Sequence, residues 1–320
     1  MQRWLVPLVA VGVFVVTLPV EAAILDDVTG AAAAWSLRQL DDDYAGPAIN
    51  VKRTSDGATQ DIGFVGGELD TAALLSFVGS STGLVTTWYD QSGNGRDAIE
   101  SSDTNRPRIV IDGVLQNGSA NIRPGLRYLG NNCLTLLEGL LETNTTISLQ
   151  EITVAPPSDN SLANRFWNYA TSGNSSRFSF GIEADADFGV FRNSGSTVDA
   201  DSGILLPLHQ DIYTVVTNDF SGAGGTHNYD ANVNGLDAFT ITGTTNLIDD
   251  ARFVIGAQTP DGDRSLNGYT QEVIIYTSVL NSSQLAMIQA DQSAYYIPEP
   301  GTFTLVVLGA ATLMTRRRQS

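Results

Sequence analysis

Two polar segments of the chain carry the residue types that sugar chemistry requires. The first, TTWYDQSGNGRDA at positions 86–98, places Trp88 and Tyr89 directly before Asp90 and Gln91. An aromatic ring offers an apolar face to a sugar ring, and carboxylate and amide groups bind its hydroxyls. These four residues are therefore candidates for a carbohydrate site. A turn is the alternative, because Ser-Gly-Asn-Gly follows them and Asn-Gly favours positive φ.

The same segment also suggests a calcium loop. Asp90 and the residues after it match the D-x-S-x-N-G opening of an EF-hand, but serine stands where the bidentate glutamate is required. The EF-hand is incomplete, so another aspartate-mediated calcium site stays open as an alternative. No other cofactor is indicated, because the sequence has no phosphate-binding glycine loop and its two histidines lack zinc-ligand spacing.

The second polar segment, TPDGDRSLNG, offers carboxylates for catalysis. A retaining glycosidase needs two carboxyl groups about 5 Å apart, one as nucleophile and one as acid/base. Asp261 and Asp263 are candidates for the acid, and a turn or a calcium site is the alternative for both. Glu183, Asp185 and Asp187 alternate along one predicted strand and share a face, so Glu183 is a further candidate; a solvated face is the alternative.

The elements that must position these residues are mostly strands. Short runs of β-branched and aromatic residues separated by turn residues fill the chain after residue 83 and predict a two-sheet, jelly-roll β-sandwich. Helices are predicted over 28–40, over 70–79 after an Asp70 N-cap, and over 281–296, where Asn281 and Gln284 form a capping box. One domain over residues 23–296 is expected.

Both ends of the chain have the composition of targeting segments. Residues 1–22 combine an early arginine, an apolar run and small residues at a cleavage site, which predicts a secretion signal removed by signal peptidase. Residues 297–320 contain Pro298-Glu299-Pro300, an apolar stretch and Arg316-Arg317-Arg318 in that order. Arginines after an apolar run stay on the cytoplasmic side, so this segment predicts an inner-membrane anchor. A retained N-terminal anchor and an ordinary C-terminal anchor are the alternatives.

Charge and cysteine content narrow the class of protein. The net charge is −18, and lysine occurs only once, which argues against nucleic acid as a partner. Cys133 is the single cysteine, so no internal disulfide is available to an exported domain. The core must therefore supply the stability.

Two resemblances follow from these residues. The C-terminal triad of PEP, apolar run and arginines resembles the bacterial PEP-CTERM sorting tail, which implies an exosortase as partner and a final place in the envelope or extracellular matrix. Residues 31–98, including LVTTWYDQSGNGRDA, resemble the start of the catalytic domain of α-L-arabinofuranosidase B, a concanavalin-like sandwich. The last strands and helix resemble that family and laminin-G-like domains, whereas residues 100–250 match poorly.

The arabinofuranosidase resemblance also implies positions for catalytic groups. The family's nucleophile is a glutamate in a Gly-Asn-Ala-Glu-Thr type of segment after a vicinal cysteine pair, and the nearest counterpart here, residues 166–178, has neither feature. Its acid/base aspartate lies in a Gly-Asp-rich loop that corresponds to Asp261 or Asp263. The expected function is glycan binding by a catalytically degenerate domain. An active α-L-arabinofuranosidase that removes arabinose side chains and a structural envelope protein without a ligand are the alternatives.

Overall fold

The computed structural model describes residues 23–297 apart from 119–122, 137–145, 153–163, 171–176, 183–186, 194–196, 206–209, 218–224, 235, 246–251 and 263. Side chains are described for only part of the segment 146–245. The predicted signal peptide and nearly all of the predicted sorting tail lie outside these residues. In the part that is described, no helix is long and apolar enough to cross a membrane.

The chain folds mainly into antiparallel strands. They are β1 (Ala33–Ser36), β2 (Ile49–Arg53), β3 (Thr59–Ile62), β4 (Phe64–Val65), β5 (Glu68–Leu69), β6 (Gly83–Trp88), β7 (Ala98–Ile99), β8 (Arg108–Ile111), β9 (Val114–Leu115), β10 (Leu126–Leu129), β11 (Leu134–Leu136), β12 (Thr146–Ile152), β13 (Asn164–Ala170), β14 (Arg177–Ile182), β15 (Asp187–Asn193), β16 (Thr197–Leu205), β17 (Gln210–Thr217), β18 (Gly225–Val233), β19 (Leu236–Thr245), β20 (Arg252–Ile255) and β21 (Asn267–Tyr276). The helices are α1 (Ile24–Asp27), α2 (Thr71–Val78) and α3 (Ser282–Tyr296).

The strands form two layers that share β6. The strand order in the first layer is β3, β2, β6, β8, β10, β21, β12, β17, β18 and β19. Strand β1 also pairs with β21, next to the segment of β21 that pairs with β10. In the second layer the order is β7, β11, β20, β13, β14, β15 and β16. The end of β6 pairs with β7 and so connects the layers. The predicted β-sandwich is confirmed.

Aromatic side chains fill the space between the layers. Trp35 from β1 stacks on Phe253 from β20 with ring centroids 5.9 Å apart, and Trp167 from β13 lies 5.6 Å from the same ring. Phe166 and Tyr213 bring β13 and β17 together at 4.9 Å. A fully buried large apolar side chain contributes about 1.5–3 kcal/mol, so this cluster joins the two layers strongly.

Two of the predicted helices form where their caps predict them. The Asp70 carboxylate accepts a hydrogen bond from the Ala73 N–H at 2.9 Å and starts α2. Asn281 and Gln284 complete the predicted capping box of α3. Helix α3 then covers a second apolar cluster that includes Ile288, and it forms one wall of a cleft described below.

The helix predicted over residues 28–40 is wrong. Its central residues form β1, which pairs with β21 in the register Ala33↔Ile275 to Ser36↔Glu272. Both faces of β1 are buried: Trp35 belongs to the core between the layers, and Ala34 packs into the cluster under α3. Small alanine side chains fit this doubly covered position, so tertiary packing overrides the helix propensity of alanine.

Candidate functional site

The segment 86–98 ends β6 and turns around one carboxylate. Asp90 is 4% exposed. Its Oδ1 accepts hydrogen bonds from the N–H groups of Ala34 at 2.8 Å and Ser92 at 2.9 Å, and its Oδ2 accepts from Ser92 Oγ at 2.8 Å and the Arg96 N–H at 3.0 Å. These donors occupy both oxygens and connect the turn to β1. No lone pair is left facing a sugar or a cation.

Gln91 extends the same connection. Its Oε1 accepts from the Leu40 N–H at 2.8 Å, and its Nε2 donates to the carbonyl oxygens of Ser36 at 3.1 Å and Arg38 at 3.0 Å. The side chain is fully buried. We call Asp90 and Gln91 the clasp, because together they fix residues 34–40 to the loop after β6.

The two aromatic residues of the segment differ in exposure. Trp88 is 0% exposed and belongs to the core between the layers, so its ring cannot stack on a sugar. Tyr89 is partly exposed, and its hydroxyl donates to Asp61 Oδ1 at 2.9 Å. Burial, together with that hydrogen bond, raises the pKa of Tyr89 to about 12.

The contacts of Trp88, Asp90 and Gln91 are those of the turn alternative, not of the predicted sugar site. The same contacts argue against a calcium site at Asp90, because a cation needs free oxygen lone pairs and both Asp90 oxygens already accept hydrogen bonds. Elsewhere in the described part of the chain, no three His, Cys, Asp or Glu residues cluster to hold a metal ion.

A second candidate region lies at the loop between β20 and β21. Asp261 is exposed on this loop, whereas Asp263 and Glu183 lie outside the described residues. Gly262 adopts a φ of 82°, and a Cβ at this position would collide with the Asn131 carbonyl, so the loop requires glycine here. The structure thus presents one of the predicted acids, Asp261, to solvent on this loop.

A buried thiol lies behind this loop. Cys133 Sγ lies 3.2 Å from Glu100 Oε2 and 3.1 Å from the Pro260 carbonyl oxygen, and these two acceptors share its single proton. Burial, reinforced by the charge of Glu100, raises the pKa of the Cys133 thiol well above its usual value. The cysteine is therefore an internal hydrogen-bond donor that connects the loops, and it is not poised as a nucleophile.

Strand β13 reaches the same region without a described carboxylate. Phe166, Trp167 and Asn168 are all buried, and Asn168 Nδ2 donates to the Gln258 carbonyl at the start of the β20–β21 loop. A carboxylate at residue 168 would place an acceptor against that carbonyl. The described residues of segment 166–178 thus provide packing where the family resemblance predicts a nucleophile.

A polar cleft of about 370 Å³ at α3 was not predicted. It is lined by Ala23, Arg38, Gln39, Asp42, Gly66, Gly67, Glu68, Arg123, Asp291, Ala294 and Tyr295. In one wall of the cleft, Arg123 forms an ion pair of 2.7 Å with Glu68. The guanidinium carbon of Arg123 lies 4.0 Å from the ring centroid of Tyr295. The charges in this wall are paired with each other.

The floor of the cleft contains a buried ion pair. Arg38 donates to Glu272 through Nε at 2.8 Å and Nη2 at 3.1 Å, and it also pairs with Asp291. Tyr296 and Gln292 each donate a hydrogen bond of 3.0 Å to Glu272. Burial alone would raise the pKa of Glu272, but the charge of Arg38 and the hydrogen bonds from Arg38, Gln292 and Ser36 outweigh it, and the pKa lies below its usual value. The sequence analysis missed this ion pair; a glutamate within the apolar run of β21 is the signal that could have indicated a buried partner.

Comparison with known families relates the two halves of the chain to different family descriptions. Residues 26–121 match the family described as α-L-arabinofuranosidase B, catalytic. Residues 138–286 match the concanavalin A-like lectin/glucanases superfamily. Together with the two layers, this confirms that the domain is a concanavalin-like sandwich.

Individual relatives agree with these matches. The probable α-L-arabinofuranosidase B of Aspergillus fumigatus is 38% identical over 117 residues, which cover 36% of this chain and 22% of that protein. The enzyme of Penicillium canescens is 46% identical over 66 residues, which cover 20% of this chain and 14% of that protein. The chain thus covers about a fifth or less of the length of these relatives.

The fold is also found among solved structures. An arabinofuranosidase complexed with arabinofuranosyl-α-1,2-xylobiose superposes with a TM-score of 0.60 at 14% identity, covering 83% of this chain and 63% of that chain. A GH54 α-L-arabinofuranosidase soaked with a cyclic sulfate inhibitor gives a TM-score of 0.59 over the same shares. At this identity the similarity is one of fold.

Proposed function

We propose that the protein is an exported surface or matrix protein whose sandwich binds arabinose-containing glycans and is catalytically degenerate. The observation that carries the glycan class is the match of residues 26–121 to the catalytic domain of α-L-arabinofuranosidase B. The common fold with a solved arabinofuranosidase over 83% of the chain supports the same class. Because the chain covers only part of each relative, their activity is not carried over with the fold.

The proposal of degenerate chemistry is supported by the two-carboxylate requirement and by the described residues. Retaining hydrolysis needs a nucleophile and an acid on opposite sides of the glycosidic bond. Asp261 supplies one exposed acid, but the described part of β13 supplies only buried Phe166, Trp167 and Asn168. A single acid without a nucleophile cannot complete the two-step reaction.

An active α-L-arabinofuranosidase is the second candidate, favoured by the exposed position of Asp261. In that case Asp263 or Asp261 acts as the acid, and Glu183 is the first residue to test as nucleophile. A structural envelope protein is the third candidate, and it requires no ligand.

One pair of measurements separates the three candidates. We expect the purified protein to bind an arabinan oligosaccharide in calorimetry and to hydrolyse an aryl arabinofuranoside only at the background rate. Turnover that disappears in Asp263→Asn or Asp261→Asn would establish the enzyme instead. Absence of both binding and turnover would leave the structural role.

Export and sorting rest on the two ends of the sequence. We propose that residues 1–22 are removed on export and that the C-terminal segment holds the protein in the inner membrane until an exosortase cuts it. In a host with an exosortase, the intact mass of the mature protein should therefore lack Arg316, Arg317 and Arg318. A mature surface fraction that retains Arg318 would support an ordinary anchor instead of a sorting signal.

A further inference from the structure

Basic side chains form a row across the outer face of the first layer. The register pairs Lys52 with Leu84, Leu84 with Arg108, Arg108 with Arg127, and Arg127 with Tyr269. The row therefore crosses β2, β6, β8, β10 and β21 at one level, which spans roughly 19 Å at the usual strand spacing. We call these five residues the basic row.

The basic row faces away from the core. Val51, Val85, Ile109, Leu126 and Tyr128, each adjacent in sequence to a member of the row, all belong to the core between the layers. Because successive side chains of a strand point to opposite faces, the row itself lies on the outside of the sandwich. Leu84, whose cross-strand neighbours are Lys52 and Arg108, is only 6% exposed.

Arg108 and Arg127 are a like-charged cross-strand pair. Residues directly opposite each other in an antiparallel ladder have Cβ atoms about 4.5–5.5 Å apart, and like charges at such positions are destabilising. The ion pairs among the described residues include neither arginine. Although the net charge of the chain is −18, these two arginines therefore have no carboxylate partner among the described ion pairs.

The two arginines differ in their remaining donors. Arg127 donates to the Gly268 carbonyl at 3.1 Å and to Asn267 Oδ1 at 2.9 Å, and its guanidinium carbon lies 5.0 Å from the Tyr269 ring centroid. Arg108 Nε is buried, and no hydrogen-bond partner for it exists among the described residues. Arg108 as a whole is partly exposed, and Nε is its only nitrogen that is both buried and without a partner, so its terminal guanidinium nitrogens stay open to an acceptor from outside.

We propose that the basic row binds the carboxylate groups of an acidic, uronate-containing polysaccharide, with Arg108 as the main contact and Arg127 and Lys52 on either side. This inference rests on the proposed glycan-binding function and adds a charge class to its ligand. A planar carboxylate fits the forked donors of a guanidinium and separates the two positive charges.

The rest of the surface favours a glycan over denser polyanions. The strongly negative net charge repels every polyanion at long range, and it repels the densely charged ones, nucleic acid and anionic membranes, most strongly. A polysaccharide carries its carboxylates singly, and its sugar rings add contacts to a partly exposed aromatic side chain such as Tyr269. Lys52 already pairs with Asp103 at 2.5 Å, so it serves the ligand less than Arg108 does.

The test uses the purified full-length protein and an oligogalacturonate as the probe. We expect binding that weakens as salt increases, and we expect Arg108→Gln to weaken it about tenfold or more through loss of charge-assisted hydrogen bonds. The carboxyl-reduced form of the same oligosaccharide should not respond to Arg108→Gln.

Arg53→Gln is the matched control. Arg53 lies on β2 next to Lys52 and pairs with Asp56, so its replacement makes the same change in net charge as Arg108→Gln but removes no member of the row. The melting temperature of Arg108→Gln should stay level or rise, because the substitution relieves the like-charge pair. A fall in melting temperature with unchanged oligogalacturonate affinity would overturn the proposal in favour of a structural role.

The other possible results of these binding experiments also test the proposal. No oligogalacturonate binding by the wild type, or an equal loss in Arg53→Gln, refutes the basic row as a site. Binding of a DNA fragment or of anionic vesicles that Arg108→Gln abolishes would assign the row to another class of partner and likewise overturn the proposal. Binding of neutral arabinan should be insensitive to Arg108→Gln, so failure here and failure of the proposed function are distinguishable.

Discussion

The hydrogen bonds of the clasp allow a quantitative prediction of how much Asp90 stabilises the fold. Its carboxylate accepts hydrogen bonds from the backbone N–H groups of Ala34, Ser92 and Arg96 and from the Ser92 hydroxyl, at distances of 2.8–3.0 Å. Asp90→Ala removes all four acceptor contacts at once. The resulting loss should appear as reduced stability of the fold.

The size of this stability loss depends on which of the four donors remain buried after the substitution. Ala34 is fully buried, so its N–H would lose its partner completely, at about 1–3 kcal/mol. Ser92 and Arg96 are partly exposed, so water replaces part of their lost bonds. We therefore expect Asp90→Ala to lower the free energy of unfolding by about 3–4 kcal/mol. For a domain of this size the melting temperature should fall by roughly 10 °C.

Thermal unfolding and arabinan binding should be measured on the same preparations. Asp43→Ala is the control, because Asp43 is an exposed aspartate whose replacement makes the same change in charge. We expect arabinan affinity to be equal in the wild type, in Asp90→Ala below its melting temperature and in Asp43→Ala. A tenfold loss of affinity in Asp90→Ala with an unchanged melting temperature would refute the clasp and restore the sugar site at this segment.

Two further predictions concern buried ionisable groups. Glu272→Gln should destabilise the protein by about 3 kcal/mol at pH 7, because the buried Arg38 stays charged after it loses one of its two carboxylate partners. The folded-state pKa of Glu272 is lowered, so its contribution is present above the unfolded value of about 4.3 and is lost as pH falls through the folded value. Urea unfolding at neutral and acidic pH should show the difference between variant and wild type shrinking with acidification; a constant difference would contradict it. The Cys133 thiol should resist alkylation by iodoacetamide at pH 8 in the folded protein and react in urea, because burial raises its pKa; fast labelling of the folded protein, detected by mass spectrometry, would contradict this.

The sequence predicted the features that local chemistry decides. The N-cap at Asp70 and the capping box at Asn281 located α2 and α3, because capping depends on side chains within one helical turn. The Ser-Gly-Asn-Gly turn was correct for the same reason: Gly93 and Gly95 adopt φ values of 80° and 69°. Period-two patterns and turn residues were sufficient for the sandwich.

Features that depend on distant partners were not predictable. β1 was predicted as helix because its alanines favour helix locally, and only pairing with β21 makes it a strand. The Arg38–Glu272 ion pair joins residues 234 positions apart. The basic row is likewise distributed over five strands whose order no local pattern reveals.

The clasp explains why the chain resembles arabinofuranosidases most clearly over residues 31–98. Asp90 and Gln91 bond to the backbone of residues 34–40, more than 50 positions earlier, so both segments must keep their residues for either to fold in this way. By the family resemblance, hydrolysis would depend on carboxylates from other parts of the chain, one near residues 166–178 and one in the loop that contains Asp261. A change in those carboxylates leaves the clasp intact. The N-terminal similarity therefore supports the glycan class through a shared architecture, whereas hydrolysis would require carboxylates that the clasp does not supply.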